Sequence, residues 1–183
     1  MNHVMIDLES MASRKNACVI ELAAVRFSPH GEGIHGKPFQ TFVWHKEGYI
    51  SLSTIAWWMQ QPHAAEMGRK WKEKGERPKK VLDDFTHWFF TSGPQVRGIW
   101  SHGASFDLAV LTSLCDENGV RVPWEFRTER DTRTIFWLVG GPPDVESDDL
   151  TKHEAVSDCI YQVRQIQSAV SQLKAMGVDV PLE

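Results

Sequence analysis

Cysteine is scarce in this chain. Cys18, Cys115 and Cys159 are the three in 183 residues. Odd in number, widely spaced and set in apolar segments, they exclude a disulfide framework or a zinc cluster and read as free thiols of a reducing compartment. Long hydrophobic runs are lacking too: none approaches the ~18 apolar residues of a membrane span, and Asn2-His3 does not open a signal peptide. A cytoplasmic protein with no membrane partner is therefore expected. Positive charge is short, since 20 Lys and Arg against 24 Asp and Glu leave a net charge of −4. The composition does not advertise nucleic-acid binding. No repeat, low-complexity tract or linker divides the chain, so one domain over residues 1–183 is expected.

Tryptophan, by contrast, is in excess, with eight residues that serve either as core or as surfaces on which bases stack. Charge is also uneven. The segment "RKWKEKGERPKK" (69–80) holds seven Lys and Arg against two Glu, whereas "DVESDD" (144–149) holds four acids and no base. The basic segment is either a solvated helix face or a contact for a phosphate backbone.

Hydrophobic patterning predicts a strand over 4–9, a second over 17–27 and a third over 36–44, forming an antiparallel meander. Helical character follows in "LSTIAWWMQQ" and in "PHAAEMGRKW", which begins at Pro62, a favoured first helical residue. The segment 77–90 places Val81, Leu82, Phe85, Trp88 and Phe89 at helical spacing. A short strand over 95–102, a helix closed by Gly119, another in "DTRTIFWLVGG", a loop over 142–149 and a final helix over 154–175 complete the chain. Strands first, then alternating helices and strands, indicate an α/β domain with a mixed sheet.

In "VMIDLES", Asp7 and Glu9 lie two residues apart in an otherwise apolar strand, so both point to the same face. Like charges near a dry interior repel and lose hydration. A bound cation, a shared proton or a wet strand end would relieve them. Asp107 follows Phe106 at a helix start, where it also complements the helix dipole. Asp158 lies in the first turns of the last helix, beside its apolar stripe, and His153 belongs to the loop that enters it. Four carboxylates and one imidazole suit a hard divalent cation such as Mg²⁺. Two such ions clamp the attacking and leaving oxygens of a phosphodiester, and His153 is then suited to activate the water.

These residues carry a resemblance. "DLES", "HGASFD" and "HEAVSD" resemble, in order and spacing, the three motifs of the DEDDh branch of DnaQ-like 3′→5′ exonucleases, which have an RNase H-like fold. The likeness runs from residue 7 to 158. Ser10 stands where the family usually has Thr, and Gly103 where it commonly has Asn. "TIAWWMQQ" and "DTRT" are similar to the branch of phage exonuclease A-type enzymes and small bacterial exoribonucleases.

The resemblance implies an α/β, RNase H-like mixed sheet flanked by helices, and a metal-dependent 3′→5′ exonuclease that releases 5′-mononucleotides from DNA or RNA. It further implies two Mg²⁺ (or Mn²⁺) ions, with Asp7 shared, Glu9 and Asp158 on the first and Asp107 on the second, and His153 as general base. Ser10 and Met11 are expected to line the slot for the 3′-terminal nucleotide, and Phe106, Trp57 or Trp58 to stack on its base. Single-stranded DNA or RNA 3′ ends are the expected partner, and a homodimer is compatible with the Trp-rich surface. A narrower exoribonuclease for RNA ends or short oligonucleotides is the alternative. A non-catalytic nucleic-acid-binding module is a third reading, which predicts an eroded ligand; all five positions are intact.

Overall fold

The structure is a computed structural model that describes residues 2–45 and 47–181. Its spine is β1 (His3–Ser10), β2 (Val19–Phe27) and β3 (Ile34–Val43), an antiparallel meander with β1 between β2 and the later strand β5 (Gly98–Ser101). β5 runs parallel to β1, β6 (Glu129–Asp131) parallel to β5, and β4 (Gly75–Glu76) parallel to β3. The order across the sheet is β4-β3-β2-β1-β5-β6. This is the mixed RNase H-like sheet expected from the sequence. The two outermost strands have no sequence signal of their own: each is two or three residues long and mostly charged or glycine, so only the sheet edge they join makes them strands.

Helices cover both faces. α1 (Leu52–Trp58) and α2 (Ala64–Lys74) follow the meander, and α3 (Pro78–Thr91) and α4 (Asp107–Glu117) precede α5 (Thr132–Leu138) and α6 (Ala155–Ala175). Pro62 is not the first residue of α2, which begins two residues later with His63 as its cap; Pro78 takes the first-turn position instead, in α3.

Alternation along β1 sorts its side chains between two cores. Val4, Ile6 and Leu8 pack with Val81, Leu82 and Phe85 of α3 and Leu108 and Leu111 of α4. Met5 turns the other way, with Ala23, Val25 and Phe27 of β2, onto Ala155, Cys159, Val163 and Ile166 of α6. Small residues where α6 crosses the sheet allow close approach: the Cys159 thiol lies 3.7 Å from the Met5 carbonyl and 3.8 Å from that of Ala23. All three cysteines are buried and unpaired, as the sequence indicates.

The basic segment 69–80 is largely a solvated, self-paired surface. Lys79 and Lys80 reach Asp83 and Asp84 one turn on, at 2.8 and 2.7 Å, Arg69 pairs with Glu73, and Lys70 with Glu66 and Glu154. Such exposed pairs add little stability, but they neutralise four of the seven cations that a phosphate backbone would use.

Candidate active site

The parity that sends Met5 toward α6 sends Asp7 and Glu9 there too. In the register of β1 on β2, Asp7 faces Ala23 and Glu9 faces Glu21, and the pairing shifts immediately after Glu9. A bulge at that point re-aims the strand end. Because β5 is parallel to β1, the C-terminal ends of both strands reach one edge, where the 102–106 turn delivers Asp107 as the first residue of α4. Asp158 comes from the first turn of α6, and His153 from the loop before it.

The structure therefore gathers the five residues singled out in the sequence. Asp7, Glu9, Asp107, His153 and Asp158 line one cleft of about 460 Å³, together with His102, Phe106, Tyr161 and Gln162. One ligand atom from each of Glu9, His153 and Asp158 lies within 4.8 Å of the others. An adjoining cleft of about 340 Å³ shares Leu8, Glu9 and Phe106 with the first and is otherwise lined by Ser10, Ala12, Ser13, Ser53, Thr54, Trp57 and Trp58.

The electrostatics are unfavourable for bare carboxylates. Burial, then repulsion from Asp107 and Asp158, pushes the Asp7 carboxyl well above the usual range, against a hydrogen bond from Gln162 Nε2 at 3.0 Å. Burial and the neighbouring Asp7 push Glu9 up to about 10. Burial raises Asp107 to about 7, opposed by backbone amides and by Arg133, and raises Asp158, opposed by His153. A cation among these groups inverts every one of those repulsions. The donor set therefore fits a hard divalent metal. So does Gln162 Oε1, a buried acceptor beside Asp7 that has no hydrogen-bond partner among the described residues and is suited to a metal-bound water.

His153 is held in an uncommon conformation. Its φ is +60°, its N–H donates to Asp158 Oδ2 at 3.1 Å, and its carbonyl lies 3.0 Å from His63 Nε2, which must carry the proton and donate. The ring of Trp57 stands edge-on to the imidazole at 4.8 Å. A non-glycine residue at positive φ persists only where its surroundings hold it, and here Asp158, His63 and Trp57 do so.

The substrate-facing expectations divide. Phe106 lines both clefts, and Ser10 and both tryptophans line the second. Trp58 is buried, its indole donating to the Ser10 carbonyl at 3.1 Å, while Trp57 is 40% exposed and presents its ring. Met11 lines neither: its side chain packs with Cys18, Ile20, Phe42, Trp58 and Met67, and its backbone bonds Cys18 and Ser51.

Several residues were missed in the sequence. Gln162 had a signal, lying one helical turn beyond Asp158 on the same face. Glu21 had none without the strand register. It is buried, accepts from Gln40 Nε2 at 2.7 Å and Ala155 N at 3.4 Å, and so ties β2 to the start of α6.

Comparison with known proteins gives three findings. The model of the family described as 3′-5′ exoribonuclease Rv2179c-like domain matches residues 2–170. An exodeoxyribonuclease of Enterobacteria phage T4 is 25% identical over 213 residues, covering 98% of this chain and 93% of that one. Among solved structures, E. coli exonuclease I in complex with a dA16 oligonucleotide superposes with a TM-score of 0.68 at 14% identity over 95% of this chain, which spans 42% of that protein. The nuclease domain of 3′hExo, a DEDDh family member bound to rAMP, superposes with a TM-score of 0.58 at 13% identity, over 97% of this chain and 94% of that one. The two solved structures share the fold.

Proposed function

Since this chain belongs to the 3′-5′ exoribonuclease Rv2179c-like domain family, it is a 3′→5′ exonuclease, and we propose that its single domain removes 5′-mononucleotides from single-stranded 3′ ends in the cleft at the end of β1. Asp7, Glu9, Asp107 and Asp158 would hold two divalent cations, Mg²⁺ or Mn²⁺, with Asp7 common to both. When bound, those ions supply Lewis-acid activation of water and charge for the departing 3′ oxygen. His153 takes the proton of the attacking water at a ring nitrogen, an imidazole being suited to that transfer near neutral pH. His63 and Trp57 keep its loop in place. Gln162 orients the Asp7 carboxylate through the bond to Oδ1.

The terminal nucleoside would occupy the second cleft, whose volume of about 340 Å³ lies within the range of small-ligand sites. Phe106 and the exposed face of Trp57 offer the base a stacking surface worth ~1–3 kcal/mol. The observation that carries this reading is the opening of the carboxylate–histidine cleft directly onto an aromatic-lined one, with Glu9 and Phe106 in both. RNA is favoured as one substrate by the description of the matched family, and DNA by that of the phage relative.

Matched 5′-labelled DNA and RNA oligonucleotides, incubated with Mg²⁺ or Mn²⁺ beside Asp7→Ala and EDTA controls, test the proposal. A ladder shortening from the 3′ end, lost in both controls, is the expected result, and the faster polymer identifies the preferred substrate. Intact oligonucleotides under every metal condition would sink the reading.

A further inference from the structure

Gly103, where the exonuclease motif commonly carries asparagine, stands at φ +114°, and a β-carbon built on it would lie 2.6 Å from Nη1 and 3.2 Å from Cζ of Arg133. The space of a side chain is thus filled by a guanidinium. Arg133 is the second residue of α5, and its backbone is pinned: Asp131 caps the helix by accepting from Arg133 N at 2.9 Å. The other oxygen of Asp131 accepts from Ala104 N at 2.9 Å, which ties the arginine's helix to the turn that contains Gly103. A neighbouring pair repeats the tie, Thr132 Oγ1 meeting His102 Nδ1, on the other side of Gly103, at 2.8 Å.

The head group is free by contrast. Among the described residues the Arg133 guanidinium enters no ion pair and no side-chain hydrogen bond, and the residue is exposed. Its nearest carboxylate in sequence, Asp131, has both oxygens occupied by backbone amides. The head nevertheless lies close to the cleft, for Gly103, against which it packs, belongs to the turn between His102 and Phe106, and both of those line it. A cation with five free donors, fixed at its root and lying on the turn whose His102 and Phe106 line an acidic cleft, has the planar fork that binds phosphate oxygens in pairs.

We propose that Arg133 is a substrate-binding residue, whose guanidinium, seated on Gly103, contacts a backbone phosphate of the strand that enters the cleft. The glycine and the arginine are coupled: a β-carbon at 103 would lie 2.6 Å from Nη1, so the guanidinium would have to leave its present seat. The inference rests on the exonuclease reading of the cleft, and it predicts a loss of affinity with the chemical step left intact.

The test compares wild type, Arg133→Gln, Arg133→Lys, Gly103→Ala and the Arg133→Gln/Gly103→Ala pair on a single-stranded oligonucleotide at several salt concentrations. Arg133→Gln should raise KM about tenfold, with kcat little changed, and lower the slope of log KM against log salt by about one phosphate contact. Arg133→Lys should recover the salt slope and part of the KM. Gly103→Ala, whose β-carbon displaces the guanidinium and whose backbone is strained at φ +114°, should raise KM by at least as much as Arg133→Gln, and the KM effects in the pair should be less than additive. Fluorescence anisotropy of the same oligonucleotide in EDTA reads affinity without turnover and should rank the variants alike. Equal affinity and equal salt slope for wild type and Arg133→Gln overturn the inference, and additive effects in the pair overturn the coupling to Gly103. If wild type binds better than Arg133→Gln but cleaves nothing, the exonuclease reading fails and the phosphate contact stands.

Discussion

The two faces of strand β1 obey opposite rules. On one, Val4, Ile6 and Leu8 meet α3 and α4 through carbon alone, and each contact removes apolar surface from water at about 25 cal/mol per Å². On the other, the strand begins with Met5 in an equally dry core and ends with Asp7 and Glu9 among Asp107, Asp158 and His153. There every added acid raises the pKa of its neighbours. The first face holds the strand in place firmly enough for the second to keep an arrangement that disfavours its own charged form. Function sits where packing has stability in reserve.

The largest contrast between the faces should come from two adjacent substitutions. Asp7→Asn is expected to lower exonuclease activity by at least about 100-fold, while the thermal midpoint in EDTA stays level or rises, because a repelling charge is gone. Ile6→Ala should do the reverse, with about 2–5 kcal/mol of stability lost and the folded fraction nearly as active. Steady-state kinetics beside denaturant titrations measure both, and similar behaviour of the two variants would erase the distinction.

A second effect separates the faces by pH. Burial and crowding raise Glu9 to about 10 and Asp107 to about 7, whereas an unfolded chain releases these protons near pH ~4. Above that point the unfolded state binds fewer protons than the folded one. Metal-free stability therefore falls as pH rises from about 4 through the folded values of these groups. Mg²⁺ at alkaline pH should reverse the fall, and Asp7→Asn should flatten it. Thermal midpoints across that range, with EDTA or Mg²⁺, decide the matter, since a rise with pH in EDTA contradicts the assigned shifts.

The smallest effect concerns the support of His153. His63→Ala removes the donor to the His153 carbonyl, and a loss of about tenfold in kcat with KM nearly unchanged is expected. His63→Gln, which keeps an N–H donor, should recover part of it. An unchanged kcat for His63→Ala would leave Trp57 and Asp158 as sufficient support for the loop.

Much of this was legible in the sequence, for a reason that differs from residue to residue. Asp7-x-Glu9 on one strand, and Gln162 one turn after Asp158, follow from the periods of strand and helix. Met11, which the resemblance put at the nucleotide slot, lines neither cleft: the pairing shifts after Glu9, and beyond it the chain turns the Met11 side chain into the cluster around Trp58 and Met67. The edge strands β4 and β6 were invisible because their pairing partners, not their own residues, make them strands. For the tryptophans the sequence left core and surface open; the fold buries Trp58 and turns Trp57 toward His153.

The sequence by itself determined the inventory and the local directions: which acids there are, that Asp7 and Glu9 share a face, that His153 precedes a helix and Asp107 begins one. Only the tertiary structure decided what those directions meet. It set α6 across β1, so that Asp7 finds Gln162 from 155 residues away, placed Glu21 behind Glu9, and laid the Arg133 guanidinium in the space Gly103 leaves open. Backbone geometry is written within a few residues of each position, whereas the choice of neighbour is made by the packing of whole helices on a sheet, and no local period encodes it.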